Sequence, residues 1–306
     1  MKITNFYTIV ALSLNMALFA QKGLPIKVND FNIKPLTSFS NVTLQKSLEL
    51  ELRANPEWNK LIANKKMSVG IVDLSNPNQI RFASVNGNHM MYAASLPKIA
   101  ILLAAMDAIE KGEFKETEAV KKDMKIMISK SDNDAATRMI DRVGYKKIES
   151  VMTNPKYMFY DENKGGGLWV GKRYGGDGAT HREPIKNLSH AASVNQVCRY
   201  YYLLAHGKLV NEKRSKQMLD IMGNPDLHHK FVSTLDKIAP NAYLFRKSGS
   251  WQTYHSDSIL VWGNDPNRRY ILVALIDDAS GEQIIRDLVK PIEKALKRKA
   301  RTNLIV

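Results

Sequence analysis

The sequence predicts an α+β fold, an αβα sandwich in which one antiparallel sheet is built from both ends of the chain and a helical block is inserted between them. Three observations predict it. Short β-rich runs lie near the two ends only: Met67–Asp73 and residues 79–85, joined by Ser75-Asn76-Pro77-Asn78, then residues 243–246, 258–262 and 270–276, the last two joined by Gly263-Asn264-Asp265-Pro266-Asn267. Between them, to about residue 239, the pattern is helical with little strand character. The closing run, residues 281–299, is a helix that packs back on the sheet.

Taken in order, Lys2 precedes an apolar run over residues 6–20 that ends in Ala-Leu-Phe-Ala before Gln21. That is the pattern of a secretory signal peptide cleaved after Ala20, which predicts a periplasmic or secreted protein with no membrane attachment after cleavage. Residues 21–306 then form a single domain, with an α/β lobe (21–95 and 240–306) and a helical lobe (96–239). Residues 21–42 read as a surface arm. Residues 43–54 and 57–64 alternate leucines with charges at helical spacing and are interrupted at Pro56. From Leu96 to Met106 almost every residue is apolar, the mark of a buried helix too short to span a bilayer. Residues 164–183 contain seven glycines and predict a long loop.

The bulk properties narrow the classes of function. The 306 residues are 44% hydrophobic, enough for a substantial core. The single cysteine, Cys198, excludes an internal disulfide and reads as a buried filler. A net charge of +15 favours anionic partners such as acidic wall polymers or carboxylate substrates, but no nucleic-acid recognition motif accompanies it. The seven histidines include the pair His228-His229 but no metal-ligand spacing. The glycine-rich loop lacks the Lys-Ser/Thr of a phosphate site. No cofactor, metal or nucleic acid is therefore expected, and a monomer acting on a small molecule is.

The chemistry begins at Ser95. Lys98, three residues on, stacks on the same face of the first turn of the buried helix. Burial and the positive end of the helix dipole both lower a lysine pKa there, towards an amine that accepts a proton from a neighbouring hydroxyl. The alternative is that Ser95 caps the helix and Lys98 reaches out to solvent. Two further motifs decide between these readings: Ser131-Asp132-Asn133 opens a helical run, and Lys247-Ser248-Gly249 ends a strand.

In that order, S-x-x-K, S-D-N and K-[ST]-G resemble the signature of the class A β-lactamase and penicillin-binding-protein superfamily. The stretch KSGSWQTYHSDSILVW is similar to the class A strand-turn-strand, and the likeness extends over most of the chain after the signal. The resemblance implies a β-lactamase/transpeptidase-like fold and an exported serine hydrolase that opens a β-lactam or related amide through an acyl-enzyme. It makes Ser95 the nucleophile, Lys98 its proton acceptor and Ser131 the donor to the leaving nitrogen. Asn133 would hold the substrate's side-chain amide. Lys247 and Ser248 would bind its carboxylate, Gly249 would let the strand approach, and the amides of Ser95 and Ser250 would form the oxyanion hole.

Two departures qualify that implication. The class A deacylation base is a glutamate in an R-x-x-E-x-x-x-N-like loop, and no such motif is present. Of the nearby acids Glu162, Asp177 and Glu183, the candidate is Glu183, between Arg182 and Pro184, with an exposed loop acid as the other reading. The interval from Ser95 to Ser131 is also shorter than in typical class A enzymes. The alternatives are accordingly a cell-wall peptide amidase or esterase, and a penicillin-binding sensor without turnover. His255 and Asp257 could line the cleft or be ordinary turn and strand residues.

Overall fold

The computed structural model describes residues 23–27 and 34–298. The predicted signal segment, residues 1–20, lies outside the described residues. In chain order the elements begin with helices α1 (Val42–Arg53) and α2 (Pro56–Ala63), then strands β1 (Met67–Asp73), β2 (Arg81–Val85) and β3 (Met91–Tyr92). Helices α3 (Lys98–Glu110), α4 (Glu118–Ser129), α5 (Asn133–Val143) and α6 (Tyr145–Met152) follow. Then come the short strands β4 (Tyr160–Asp161), β5 (Gly166–Gly167), β6 (Trp169–Val170) and β7 (His190–Ala192). The chain closes with α7 (Val194–Ala205), α8 (Glu212–Met222), α9 (Phe231–Ile238), β8 (Tyr243–Trp251), β9 (Tyr254–Trp262), β10 (Arg269–Asp277) and α10 (Gly281–Lys297).

The main sheet has five strands in the order β2-β1-β10-β9-β8, each antiparallel to its neighbour. It is assembled from both chain ends, as the β-rich runs predicted. Strand residues alternate between two cores. Met67, Val69 and Ile71 of β1 and Tyr270, Leu272, Ala274 and Ile276 of β10 face one side. Val72 and Ile271, Val273 and Leu275 face the other. That period of two places helices on both faces of a sheet buried on both sides, the αβα sandwich.

On the first face α10 presents Ile284, Leu288, Ile292 and Leu296 at four-residue spacing, with Ile285 and Val289 beside them, against α1 and α9. On the second face α7 crosses β1, β9 and β10, and the buried helix α3 lies beyond it among α4, α5, α6 and α8. From Lys98 to Ile109 every residue of α3 is buried. Pro56 starts α2 rather than merely interrupting it: Asn55 caps that helix by accepting from the amides of Glu57 and Trp58, and proline fits the first helical turn.

The sequence reading misses the small strands. The segment expected to be one long loop forms β5 and β6, and β6 joins β7 and β3 in a three-stranded sheet. Gly167 is there because an added Cβ would lie 2.0 Å from the Phe159 carbonyl oxygen, too close for any side chain. The remaining loop runs from residue 171 to residue 189 beside the edge strand β8 and the segment that leads into α3.

Candidate active site

Three separate pieces of chain meet where β8 passes the start of α3. Ser95 does not cap that helix. It sits in the turn just before it: Pro97 is the N-cap, Ser95 O accepts from the Lys98 amide at 3.3 Å, and Ala94 holds a left-handed backbone with φ +49°. On β8, a Cβ added to Gly249 would stand 2.5 Å from the Ser95 amide nitrogen and 2.5 Å from the Ala93 carbonyl oxygen. Strand and turn are therefore in direct backbone contact, and glycine is required for steric reasons.

Lys98 is fully buried and does not reach solvent. Its amine donates to the carbonyl oxygen of Ser131 at 2.6 Å, to Asn133 Oδ1 at 2.8 Å and to the carbonyl oxygen of Asp132 at 3.3 Å. It lies 4.4 Å from the centroid of the Tyr174 ring. Burial pulls its pKa from 10.5 down to about 7, against a partial opposing pull from Asp132. Lys98 is thus poised between its charged and neutral forms near neutral pH. No hydrogen bond joins its amine to the Ser95 hydroxyl among the described residues.

Ser131 is the bridge. It holds a left-handed backbone with φ +59°, a conformation that costs a non-glycine residue about 1 kcal/mol. The result is that its carbonyl accepts from Lys98 while its hydroxyl accepts from Lys247 Nζ at 2.8 Å. Asp132 fixes the next turn by capping α5 through the Ala135 amide at 2.7 Å. Lys247 also donates to Ser248 O at 2.5 Å. Burial first, then the charges of Lys98 and Arg246, hold its pKa well below the ordinary lysine value. Two buried amines therefore hold one residue, Lys98 at its carbonyl and Lys247 at its hydroxyl.

The strand carrying Lys247 to Ser250 is tied down from beneath. Ser258 Oγ donates to Lys247 O at 2.8 Å, and Ser256 Oγ donates to Ala93 O at 2.8 Å. Lys230, buried and left-handed at φ +56°, donates to Gly249 O at 2.5 Å, Ser250 Oγ at 2.8 Å and Ser256 O at 3.1 Å. Arg246 forms a fully buried pair with Asp257 at 2.8 Å. His229 Nε2 lies 3.3 Å from Ser248 Oγ, and burial pulls its pKa down to about 4, so the ring is neutral at pH 7. In front of the strand opens a cleft of about 520 Å³ lined by Ser95, Asn133 and Ser250 on one side and by Lys172, Tyr174 and Arg182 of the loop.

A family model described as the beta-lactamase enzyme family matches residues 54–126 and 120–298. The chain belongs to the beta-lactamase enzyme family. Its fold is that of a beta-lactamase from Sphaerobacter thermophilus (TM-score 0.61, 15% identity, 82% of this chain and 95% of that chain covered). It is similarly close to PBP-A (TM-score 0.59, 17% identity, 84% and 96% covered) and to a PBP-A mutant in acyl-enzyme complex with penicillin G (TM-score 0.60, 18% identity, 84% and 97% covered). No curated protein sequence matches the chain.

None of the described residues lining the cleft is acidic. Glu183 is buried and turned into its own loop: its oxygens accept from the amides of Ile185 at 2.8 Å, Lys186 at 2.7 Å and Leu188 at 3.0 Å, and from the Tyr160 hydroxyl at 2.9 Å. Glu183 is therefore not the exposed loop acid that was its other reading. Asp177 is exposed on the loop, and Glu162 sits in a short helical turn after β4.

Tyr174, which sequence reasoning missed, occupies the space beside Lys98. Its hydroxyl donates to Ala94 O at 3.3 Å, and its ring packs 4.1 Å from that of His190. Burial pulls the His190 pKa down to about 4. Lys230 and His229 were also missed as site residues, although the His228-His229-Lys230 run was visible. Asp257 and His255 lie on β9, the former under β8 and the latter against Gly281, and neither lines the cleft. No group of acids, histidines or cysteines suited to a metal occurs among the described residues.

Proposed function

We propose that this member of the beta-lactamase family is an exported active-site-serine enzyme that opens a β-lactam or related cell-wall amide by forming an ester at Ser95. The observation that carries the reading is Ser131 held between Lys98 and Lys247, with Gly249 in backbone contact at Ser95. The substrate carbonyl sits between the amides of Ser95 and Ser250, whose donors are worth about 3 kcal/mol of barrier each. Its carboxylate is held by Ser248 and Lys247, and its side-chain amide by Asn133.

Neutral Lys98 takes the proton as Ser95 Oγ attacks, and a tetrahedral oxyanion forms. The carbon–nitrogen bond then breaks. The proton reaches the leaving nitrogen through the Ser131 hydroxyl, leaving an ester on Ser95. Hydrolysis of that ester needs a base for water, and a cleft wall without a carboxylate supports a long-lived acyl-enzyme. Glu183 acts as an anchor of the loop, and Tyr174 keeps Lys98 desolvated. This balance favours a penicillin-binding enzyme with slow release over a fast hydrolase.

The test is labelling with a fluorescent penicillin followed by mass spectrometry of the intact chain. The wild type is expected to carry one adduct, on the peptide containing Ser95, that persists for minutes or longer. Ser95→Ala is expected to carry none while keeping its fold. Labelling that survives in Ser95→Ala removes the proposal. Export is checked separately by the N-terminal residue of the mature chain, expected to be Gln21.

A further inference from the structure

The walls of the cleft carry features that acylation at Ser95 does not use. One is aromatic. Trp251, at the end of the edge strand, is 51% exposed, and Tyr92 packs against it with ring centroids 5.4 Å apart and against Tyr254 at 5.3 Å. A tryptophan left open in a cleft, its position fixed by two tyrosines, is a platform for an apolar or ring-bearing group.

The other is cationic. The loop contributes Lys172, Arg173 and Arg182. Arg173 is neutralised by Asp141 at 2.8 Å. Arg182 reaches only the carbonyl oxygen of Asn187, at 3.1 Å, and the Lys172 side chain forms no hydrogen bond or ion pair among the described residues. With no acid on the cleft wall, two positive charges without a carboxylate partner project a positive field into it.

We infer that the cleft has a second anion site, formed by Lys172 and Arg182, for a carboxylate on the acyl side chain of the substrate, whose apolar part lies against Trp251. The inference rests on the reading of Ser95 as the acylated serine and names the class of substrate. That class is an amide whose acyl group is itself acidic, such as an acidic peptide, in addition to the carboxylate on the leaving side that Lys247 and Ser248 hold.

Three penicillins that share a phenyl ring and carry a carboxylate, a hydrogen or an ammonium group on the adjacent carbon test it: α-carboxybenzyl-, benzyl- and α-aminobenzylpenicillin. Second-order acylation constants are measured on the full chain by mass spectrometry. The α-carboxybenzyl compound is expected to acylate at least about fivefold faster than benzylpenicillin, and the α-aminobenzyl compound slowest, as one or two charge contacts allow. Raising the ionic strength is expected to shrink the spread.

In the double variant Lys172→Gln with Arg182→Gln the ratio between the α-carboxybenzyl and benzyl compounds is expected to collapse towards one. Arg182→Lys, which keeps the charge, is expected to preserve it. Equal constants for all three compounds, or a ratio that survives in the double variant, overturn the second anion site and leave the Ser95 reading standing. No adduct with any of the three overturns both.

Discussion

Replacing Gly249 by alanine tests how closely the edge strand must approach the Ser95 turn. The added Cβ would stand 2.5 Å from the Ala93 carbonyl oxygen, 2.5 Å from the Ser95 amide nitrogen and 2.7 Å from Ser256 Oγ. Ordinary contact begins at 3.4 Å, so the overlap is 0.9 Å against two backbone atoms that have no rotamer to escape into. Ala93 O is held by Ser256 Oγ at 2.8 Å, and Gly249 O by Lys230 at 2.5 Å, so neither side yields alone.

Relief requires β8 to swing away by about 1 Å, which carries the Ser250 amide off the position it needs to meet an oxyanion. Loss of one such donor lowers the acylation rate by about 10² to 10³. Overpacking of this kind lowers stability by about 1–3 kcal/mol. The assay is the second-order rate of fluorescent-penicillin labelling, with a thermal melt to show that the fold remains cooperative. A Gly249→Ala protein that labels within about threefold of the wild-type rate would refute the reasoning, because the oxyanion donors would then not depend on this contact.

Other outcomes follow from the same geometry. A Lys98 pKa lowered from 10.5 to about 7 means that the unfolded chain binds the proton more tightly, a penalty of about 5 kcal/mol at most, fully present below about pH 7 and relieved as the pH rises towards 10.5. Lys98→Met is therefore expected to melt at a higher temperature than the wild type at pH 6, with the gap narrowed to about half by pH 9 and closing only towards pH 10.5, while losing all labelling; a gap that widens with pH refutes the assignment. The acylation rate of the wild type is expected to rise with pH to a plateau above about 7, the limb that neutral Lys98 provides. Glu183→Ala is expected to lower stability by about 2 kcal/mol through loss of the loop anchor, measured by urea unfolding, and to change the acyl-enzyme lifetime by less than about tenfold; a hundredfold longer lifetime would make it the deacylation base after all. His229→Ala is expected to weaken substrate binding rather than the acylation step, because neutral His229 orients Ser248, which holds the substrate carboxylate. A fall in the saturating rate with unchanged affinity speaks against that role.

Much of the fold was legible because the strands of the main sheet obey a period of two that alternates between two cores, and α10 a period near four. β3 to β7 were not legible. Pairs such as Gly166–Gly167 have no strand propensity and exist because a tertiary neighbour supplies their hydrogen bonds. The start of α3 was misplaced for a related reason. Ser95 looked like its first turn, but the helix begins at Lys98, after Pro97, and the serine lies in a turn stabilised by its contact with β8.

By itself the sequence nominated the candidate side chains. Ser95 and Lys98 stood out from their spacing on a buried helix, Ser131, Asn133, Lys247 and Ser248 were named by resemblance to the S-D-N and K-[ST]-G motifs of a known superfamily, and the assembly of one sheet from both chain ends followed from where the β-rich runs lie. Only the tertiary structure decided what surrounds them. It set Tyr174 beside Lys98, turned Glu183 into its own loop, put His229 behind Ser248 and Lys230 under the strand, and left Lys172 and Arg182 facing an acid-free cleft. The physical reason is that a nucleophile or an amine is a property of one residue, whereas its desolvation and its charged neighbours are properties of space, filled by residues far away along the chain.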